Sequence, residues 1–327
     1  MMQKYFSSRL WATFLLAFSI GTVSTIASAQ NYPTKPLRMI VPFPPGGGLD
    51  TVARVFAATL SAQIGVAVVV ENRGGASGVI GVEAATRAPA DGYTILFASS
   101  DTLTILPLMK QLPFTVGKDV IPVAKVADLH AVFAANPAAN LNSIKEVVQK
   151  AKEKPGQLRF ASPGVGTVSH MTFEGFRQLA GVEIGHVPYN GGGPAQVAVL
   201  AGQVELLSGG ANLFTQVNAG KLKGLAYGGR TRSPLMPTLP TLIESGFPDF
   251  VMSSWFGIFL PAGVPDNIIA TLSKGLAVTA NSPEFKEKVA SVGGVPVYVA
   301  GKELTDFMAS ESARWKPIVE RANIKME

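Results

Sequence analysis

Short apolar runs alternate with longer amphipathic ones along most of this chain. Residues 37–42 read as a buried strand, and Val52, Val55, Phe56 and Leu60 then recur at helical spacing. Residues 66–71 form a second apolar, β-branched run, followed by Asn72-Arg73-Gly74-Gly75 and a helix-like stretch to Arg87. Residues 93–98 give a third strand. Strands separated by helices in this way predict parallel sheets with helices on both faces.

A second series starts near His130. Residues 131–135 read as a strand, Ser143 as an N-cap, and residues 144–152 as a helix with a basic end. A strand over 158–162 leads to a helix whose Val168, Met171, Phe176 and Leu179 share one face. Short strands follow at 204–208 and 222–227. Residues 256–260 would return to the first unit, and 265–280, 283–291 and 302 to about 321 are helical. The fold class expected is α/β, with two doubly wound domains. Domain 1 takes residues 30–129 plus 253–327, and domain 2, residues 130–252, is inserted in it. Crossovers near His130 and Ser253 would make a two-strand hinge.

The start of the chain breaks the pattern. Lys4 and Arg9 precede an uncharged apolar run over 10–20, and Ala27-Ser28-Ala29 follows. That is the layout of a signal peptide over 1–29 cleaved after Ala29, which implies export to the periplasm. The run falls short of the about 20 residues that span a bilayer, so an uncleaved anchor is the weaker alternative. Removing this stretch lowers the formal net charge from +6 to +4. The basic residues are dispersed, without the stripe that nucleic acid requires, and favour small anions only modestly. The chain has no cysteine, which excludes disulfides, thiolate metal sites and thiol catalysis.

Candidate chemistry lies in the loops at strand ends, where open α/β sheets bind ligands. The first loop is Phe43-Pro44-Pro45-Gly46-Gly47-Gly48-Leu49-Asp50. Glycines let a ligand approach the main chain, and a helix start offers free N–H groups and a positive dipole end. Asp50 would satisfy backbone donors as a first-turn carboxylate, or else face the ligand. The second loop carries Ser162, Gly164, Gly166, Thr167 and His170, again before a helix. Ser169 stands where a dinucleotide fingerprint needs its third glycine, and no phosphate-loop motif occurs. Ser99, Ser100, Asp101 and Thr102 follow the third strand and could meet a ligand's polar end or simply form a turn. Tyr189, Asn190, Gly209 and Asn212 follow later strands. His130, His170 and His186 lack metal spacing, and no nucleophile elbow occurs. The expectation is therefore a binding protein without cofactor or metal. An exported hydrolase using Ser162 or Ser169 with His170 is a rival.

The segments "YPTKPLRMIVPFPPGGGLDTVAR", "VVVENRGGASGVIG", "ADGYTILF", "FASPGVGTVSHM", "HVPYNGGGPA" and "SSWFGIFLPAGVP" resemble the successive signatures of the Bug receptors, the periplasmic solute-binding components of tripartite tricarboxylate transporters. The resemblance runs over essentially the whole chain after the leader. It implies a type II periplasmic-binding-protein fold that closes on its ligand, a small organic acid. It also implies a monomer that delivers the acid to a two-component membrane permease; a membrane sensor kinase is the alternative recipient. One carboxylate would be gripped by residues 43–50 and 162–170. The distal end would be read by Ser99 to Thr102, Tyr189, Asn190 and the 209–212 stretch. Members of the family commonly have alanine at Pro45, proline at Gly74, lysine at Asn190 and Asn-Pro at Leu106-Pro107. Loss of the lysine and the asparagine points to a less polar or aromatic acid.

Overall fold

A computed structural model of the protein describes residues 32–322 except Asp249 and Met252. The leader expected over 1–29 lies outside the described residues. From Pro33 onward the chain forms one compact unit built around two sheets.

The first sheet has the order β11-β4-β10-β3-β1-β2. Its strands are β1 (Leu37–Val41), β2 (Val68–Asn72), β3 (Thr94–Ser99), β4 (Val120–His130), β10 (Ser253–Pro261) and β11 (Gly294–Ala300). The second has the order β7-β6-β8-β5-β9, from β5 (Val132–Ala135), β6 (Arg159–Ser162), β7 (Gly185–Pro188), β8 (Leu206–Gly209) and β9 (Lys223–Tyr227). Both sheets are mixed, not parallel as the alternating pattern implied. β10 runs antiparallel to β3 and β4, and β5 antiparallel to β8 and β9. The cause is the route of the chain. β4 ends at His130 and β5 starts at Val132, so one continuous stretch leaves the first sheet and enters the second through Ala131 alone. A strand arriving directly needs no crossover helix and is free to lie antiparallel. β10 makes the return journey, with Ser253 opposite His130 in the ladder.

Period-two burial explains why helices cover both faces of the second sheet. In β5, Val132 and Ala134 join one hydrophobic cluster, while Phe133 and Ala135 join another. The Phe133 side is aromatic, with Phe160 and Phe173 stacked at 3.7 Å. In the first sheet, Ile40, Leu96 and Ala98 pack on one side with Trp255 and Phe259. On the opposite side Phe97 meets Phe56 at 6.0 Å, and Phe56 meets Phe285 at 5.2 Å.

Four helices position the site. α1 (Gly48–Ile64) follows β1, and α4 (Val168–Ala180) follows β6. α5 (Gly192–Leu200) and α6 (Ala211–Asn218) follow β7 and β8. Between α1 and α4 the chain places α2 (Val79–Thr86) and α3 (Ile144–Glu153); after β10 come α7 (Asp266–Asn281), α8 (Pro283–Ser291) and α9 (Gly301–Ala322). The Ser143 cap is as expected, its side chain accepting from the Glu146 N–H. Leu179 departs from the expected apolar face of α4 and is exposed. α9 crosses to the second sheet's helices, where Trp315 and Val319 pack with Ile105, Val168 and Met171. Among the described residues no helix is long and apolar enough to cross a membrane.

Candidate functional site

The carboxyl ends of β1, β3, β6 and β8 open toward one cleft between the sheets, which encloses a cavity of about 110 Å³. Phe43, Gly47, Gly48, Leu49, Ser99 and Asp101 line it from the first-sheet side. Ser169, Ala195, Leu207, Ser208, Gly209 and Leu213 face them. A larger open groove of about 930 Å³ runs beside β9. It is a surface trough, distant from the glycine-rich strand ends, and we place the site in the cleft.

The first loop is organised by Asp50. Its buried carboxylate accepts from the Gly46 N–H at 3.0 Å, from Asn72 Nδ2 at 2.8 Å and from Arg54 Nε at 3.1 Å. Burial alone would raise its pKa, but hydrogen bonds from Arg54, Gly46 and Asn72 bring it below the usual carboxylate value. The cap role thus holds for Asp50, which is turned away from the ligand space. Gly46 needs its φ of +87° to present that N–H inward. The N-cap of α1 is Gly47, which offers no side chain to the first turn. The N–H groups of Gly48 and Leu49 therefore start the helix without a capping acceptor, at the positive end of its dipole. Close by, Ser99 is only 1% exposed, and its Oγ has no hydrogen-bond partner. An unpaired buried hydroxyl costs free energy, and Ser99 belongs to the lining of the cavity.

The second loop is different. Most of its expected donors are already paired. The Gly164 N–H donates to Ser162 Oγ, the Gly166 N–H to His170 Nδ1 at 3.1 Å, and the His170 N–H to Thr167 Oγ1 at 3.3 Å. The Val168 N–H donates to Asp101 Oδ1 at 2.6 Å, across from the first sheet. Ser162, Gly164, Gly166, Thr167 and His170, expected to grip an anion directly, are internal braces of the loop. His170 stacks on His186 at 3.9 Å. Burial above all, then the charges of His186 and Arg177, push the His170 pKa down to about 3, and burial pushes His186 down to about 4. Ser162 Oγ lies 2.6 Å from His186 Nε2. Ser162 is fully buried and neither residue lines the cleft, so this pair has no access to a substrate there.

Other expected residues separate by period and by close approach. Ser99 and Asp101 line the cleft, whereas Ser100 pairs with Ser254 Oγ at 3.1 Å and Thr102 donates to the Ser77 carbonyl at 2.7 Å. Pro44 is wedged at the seam: a Cβ on Gly191 would lie 2.8 Å from its Cδ, and one on Gly74 2.7 Å from it. Likewise a Cβ on Gly193 would come 2.8 Å from the Pro45 carbonyl oxygen. The Tyr189–Gly193 stretch is thus a glycine seam between the two halves. Tyr189 faces an outer groove and Asn190 is exposed, and neither lines this cavity. Gly209 lines the cleft; Asn212 lies two residues beyond Gly210, in the first turn of α6. Sequence reasoning missed Leu129, Leu207, Ser208, Leu213 and Ser254. For Ser254 the signal was present: in β10 the alternation Ser254-Trp255-Phe256 sends Ser254 and Phe256 to the cleft and Trp255 to the core.

Comparison with known proteins gives one answer. Residues 52–324 match the tripartite tricarboxylate transporter family receptor model. The protein BugT of Bordetella pertussis is 36% identical over 98% of this chain and 99% of its own. The structure of the periplasmic binding protein BugD superposes with a TM-score of 0.84 at 30% identity, covering 90% of this chain and all of BugD. That of R. palustris Rpa4515 with adipate gives 0.87 at 28% identity, covering 90% of this chain and 99% of Rpa4515. The fold and the family are those of periplasmic solute-binding receptors rather than enzymes. The chain belongs to the tripartite tricarboxylate transporter receptor family.

Proposed function

We propose that this receptor captures a small organic acid in the cleft and hands it to the membrane permease of its transporter. The observation that carries the reading is the pairing of an uncapped helix start at Gly48 with the unpartnered buried hydroxyl of Ser99 in one cavity. Neutral N–H groups hold a carboxylate without a fixed cation, through charge-assisted hydrogen bonds about twice as strong as neutral ones. Release stays possible because no covalent step is involved. The related Rpa4515, solved with adipate, supports a carboxylate as cargo.

The two halves, residues 30–129 with 253–327 and residues 130–252, close about the paired strands at Ala131 and Ser253. The seam at Gly191–Gly193 and the bond from Ser77 Oγ to the Val165 carbonyl oxygen at 2.7 Å would form on closure. A ligand drives closure only by preferring the closed form. The chain acts as a monomer in the periplasm after cleavage behind Ala29. Calorimetry on the purified protein with organic acids and their matched amides tests the reading. Acids should bind and amides should not; equal binding would refute the carboxylate grip. Mass spectrometry of the protein purified from cells, and of its N-terminus, would identify the cargo and the cleavage point.

A further inference from the structure

The two helix starts that face the cleft are not equivalent. α1 begins without a capping side chain beside the unpartnered Ser99 Oγ. α4 begins with its first N–H already bonded to a carboxylate of this chain: Asp101 Oδ1 accepts from Val168 at 2.6 Å, and Asp101 Oδ2 accepts from Ser254 Oγ at 3.1 Å. Asp101 lies on a π-helical turn, Asp101–Ile105, behind β3, so its bond to α4 joins the first sheet to the second.

Resting on the carboxylate reading above, we propose that the cleft accepts one carboxylate only, on an apolar skeleton, because Asp101 fills the second anion position. The lining agrees. Among the described residues it contains no lysine, arginine or histidine, and Asp101 is its one ionisable side chain. The surface left for the rest of the ligand is Leu129, Leu207, Leu213, Ala195 and Phe256, with the hydroxyls of Ser169 and Ser208 bonded to each other at 2.7 Å and that of Ser254 to Asp101. A second carboxylate on the ligand would meet a like charge and apolar walls, and both disfavour it. The internal carboxylate also pre-assembles the closed form, since it supplies the negative charge that the α4 dipole favours.

The test compares acids that share a skeleton: butanoate with succinate, hexanoate with adipate, benzoate with terephthalate, and hexanamide as the uncharged control. Calorimetry on the wild-type protein should show at least one monoacid binding tenfold or more tighter than its diacid. Asp101→Ala should bring that pair within threefold, chiefly by strengthening the diacid. Asp101→Asn keeps an acceptor for Val168 without the charge, and should shift the ratio in the same direction by a smaller factor. A diacid binding as tightly as its monoacid in the wild type overturns the single-anion cleft and leaves the carboxylate reading standing. A monoacid preference unchanged in both variants overturns the role of Asp101. Hexanamide binding as well as hexanoate, or none of the acids binding, overturns the carboxylate reading itself.

Discussion

Two glycine-rich loops of similar composition, 43–50 and 162–170, each lead from a strand into a helix, yet they solve different problems. The first is stabilised from behind. Asp50, Asn72 and Arg54 all belong to the same half of the molecule, and their bonds leave the front of α1 bare. The second is filled from within and from across. His170 and Ser162 accept its own N–H groups, and Asp101 reaches over from the other half. Glycine content marks where the main chain can approach a partner. What that partner is depends on the nearest acceptor. A loop whose carboxylate sits behind it keeps the donors of its helix start free; a loop met by a carboxylate from the front has its first helical donor taken.

The largest effect should come from removing the rear support. Asp50→Ala leaves the Gly46 N–H and Asn72 Nδ2 short of an acceptor, at a cost of about 2–4 kcal/mol in folding stability. Asp101→Ala should cost less than about 1 kcal/mol, because opening the halves returns its partner across the cleft, the Val168 N–H, to water. Urea unfolding of both variants decides; similar losses would mean that the two loops are braced alike. Next in size is Ser99→Ala. A hydrogen bond to a charged group contributes about 1.5–3 kcal/mol, so affinity for the acid should drop about 10- to 150-fold. Folding stability should hold, since the hydroxyl has no partner in the free protein. An unchanged affinity by calorimetry would remove Ser99 from the carboxylate site.

The strands and helices with clear apolar periods were legible: β1, β3, β5, α1, α3 and α8 fall within a few residues of their expected limits. β4 and β11 were not. Pro122, Lys125 and Asp128 interrupt the apolar pattern of β4, and Pro296 that of β11. Lys125 is nonetheless buried, neutralised by Asp128 at 2.9 Å and lying 4.0 Å over the Phe307 ring. In the site, the first loop was legible because its chemistry is local. Asp50 is four residues from the N–H it accepts. Pairings such as Asp101 with Val168 join residues 67 apart in the chain, and no local pattern announces them. Gly191 and Gly193 showed in the sequence as permissive backbone, but whether that permission serves a ligand or a facing proline is decided by tertiary approach.

Gly193→Val sharpens this last point. The new Cβ would lie 2.8 Å from the Pro45 carbonyl oxygen, a backbone atom that cannot turn aside. Overpacking of this kind costs about 1–3 kcal/mol, and here it would bear on the closed form alone. Acid affinity should fall about 5- to 150-fold, with the thermal midpoint of the free protein lowered far less. Full affinity would show that the halves close without the seam.

The smallest effect on affinity is expected from pH. His170 and His186, held down at about 3 and about 4, stay neutral from pH 8 to 5.5, so Nδ1 of His170 keeps its lone pair for the Gly166 N–H. Calorimetry should give affinities for a monoacid within twofold across that range. Folding stability should behave otherwise. In the unfolded chain both histidines titrate near 6.5, so below that pH the unfolded state binds protons that the native state refuses. Stability from this pair is complete above about 6.5 and declines as pH falls toward 4 and then 3, by about 1.4 kcal/mol per unit for each histidine. Urea midpoints at pH 8 and 7 should nearly coincide and the midpoint at pH 5.5 should be lower, and His186→Gln should reduce that drop. An affinity loss beyond threefold at pH 5.5, without unfolding, would mean that the histidine pair communicates with the cleft, and that the second loop is more than an internal brace.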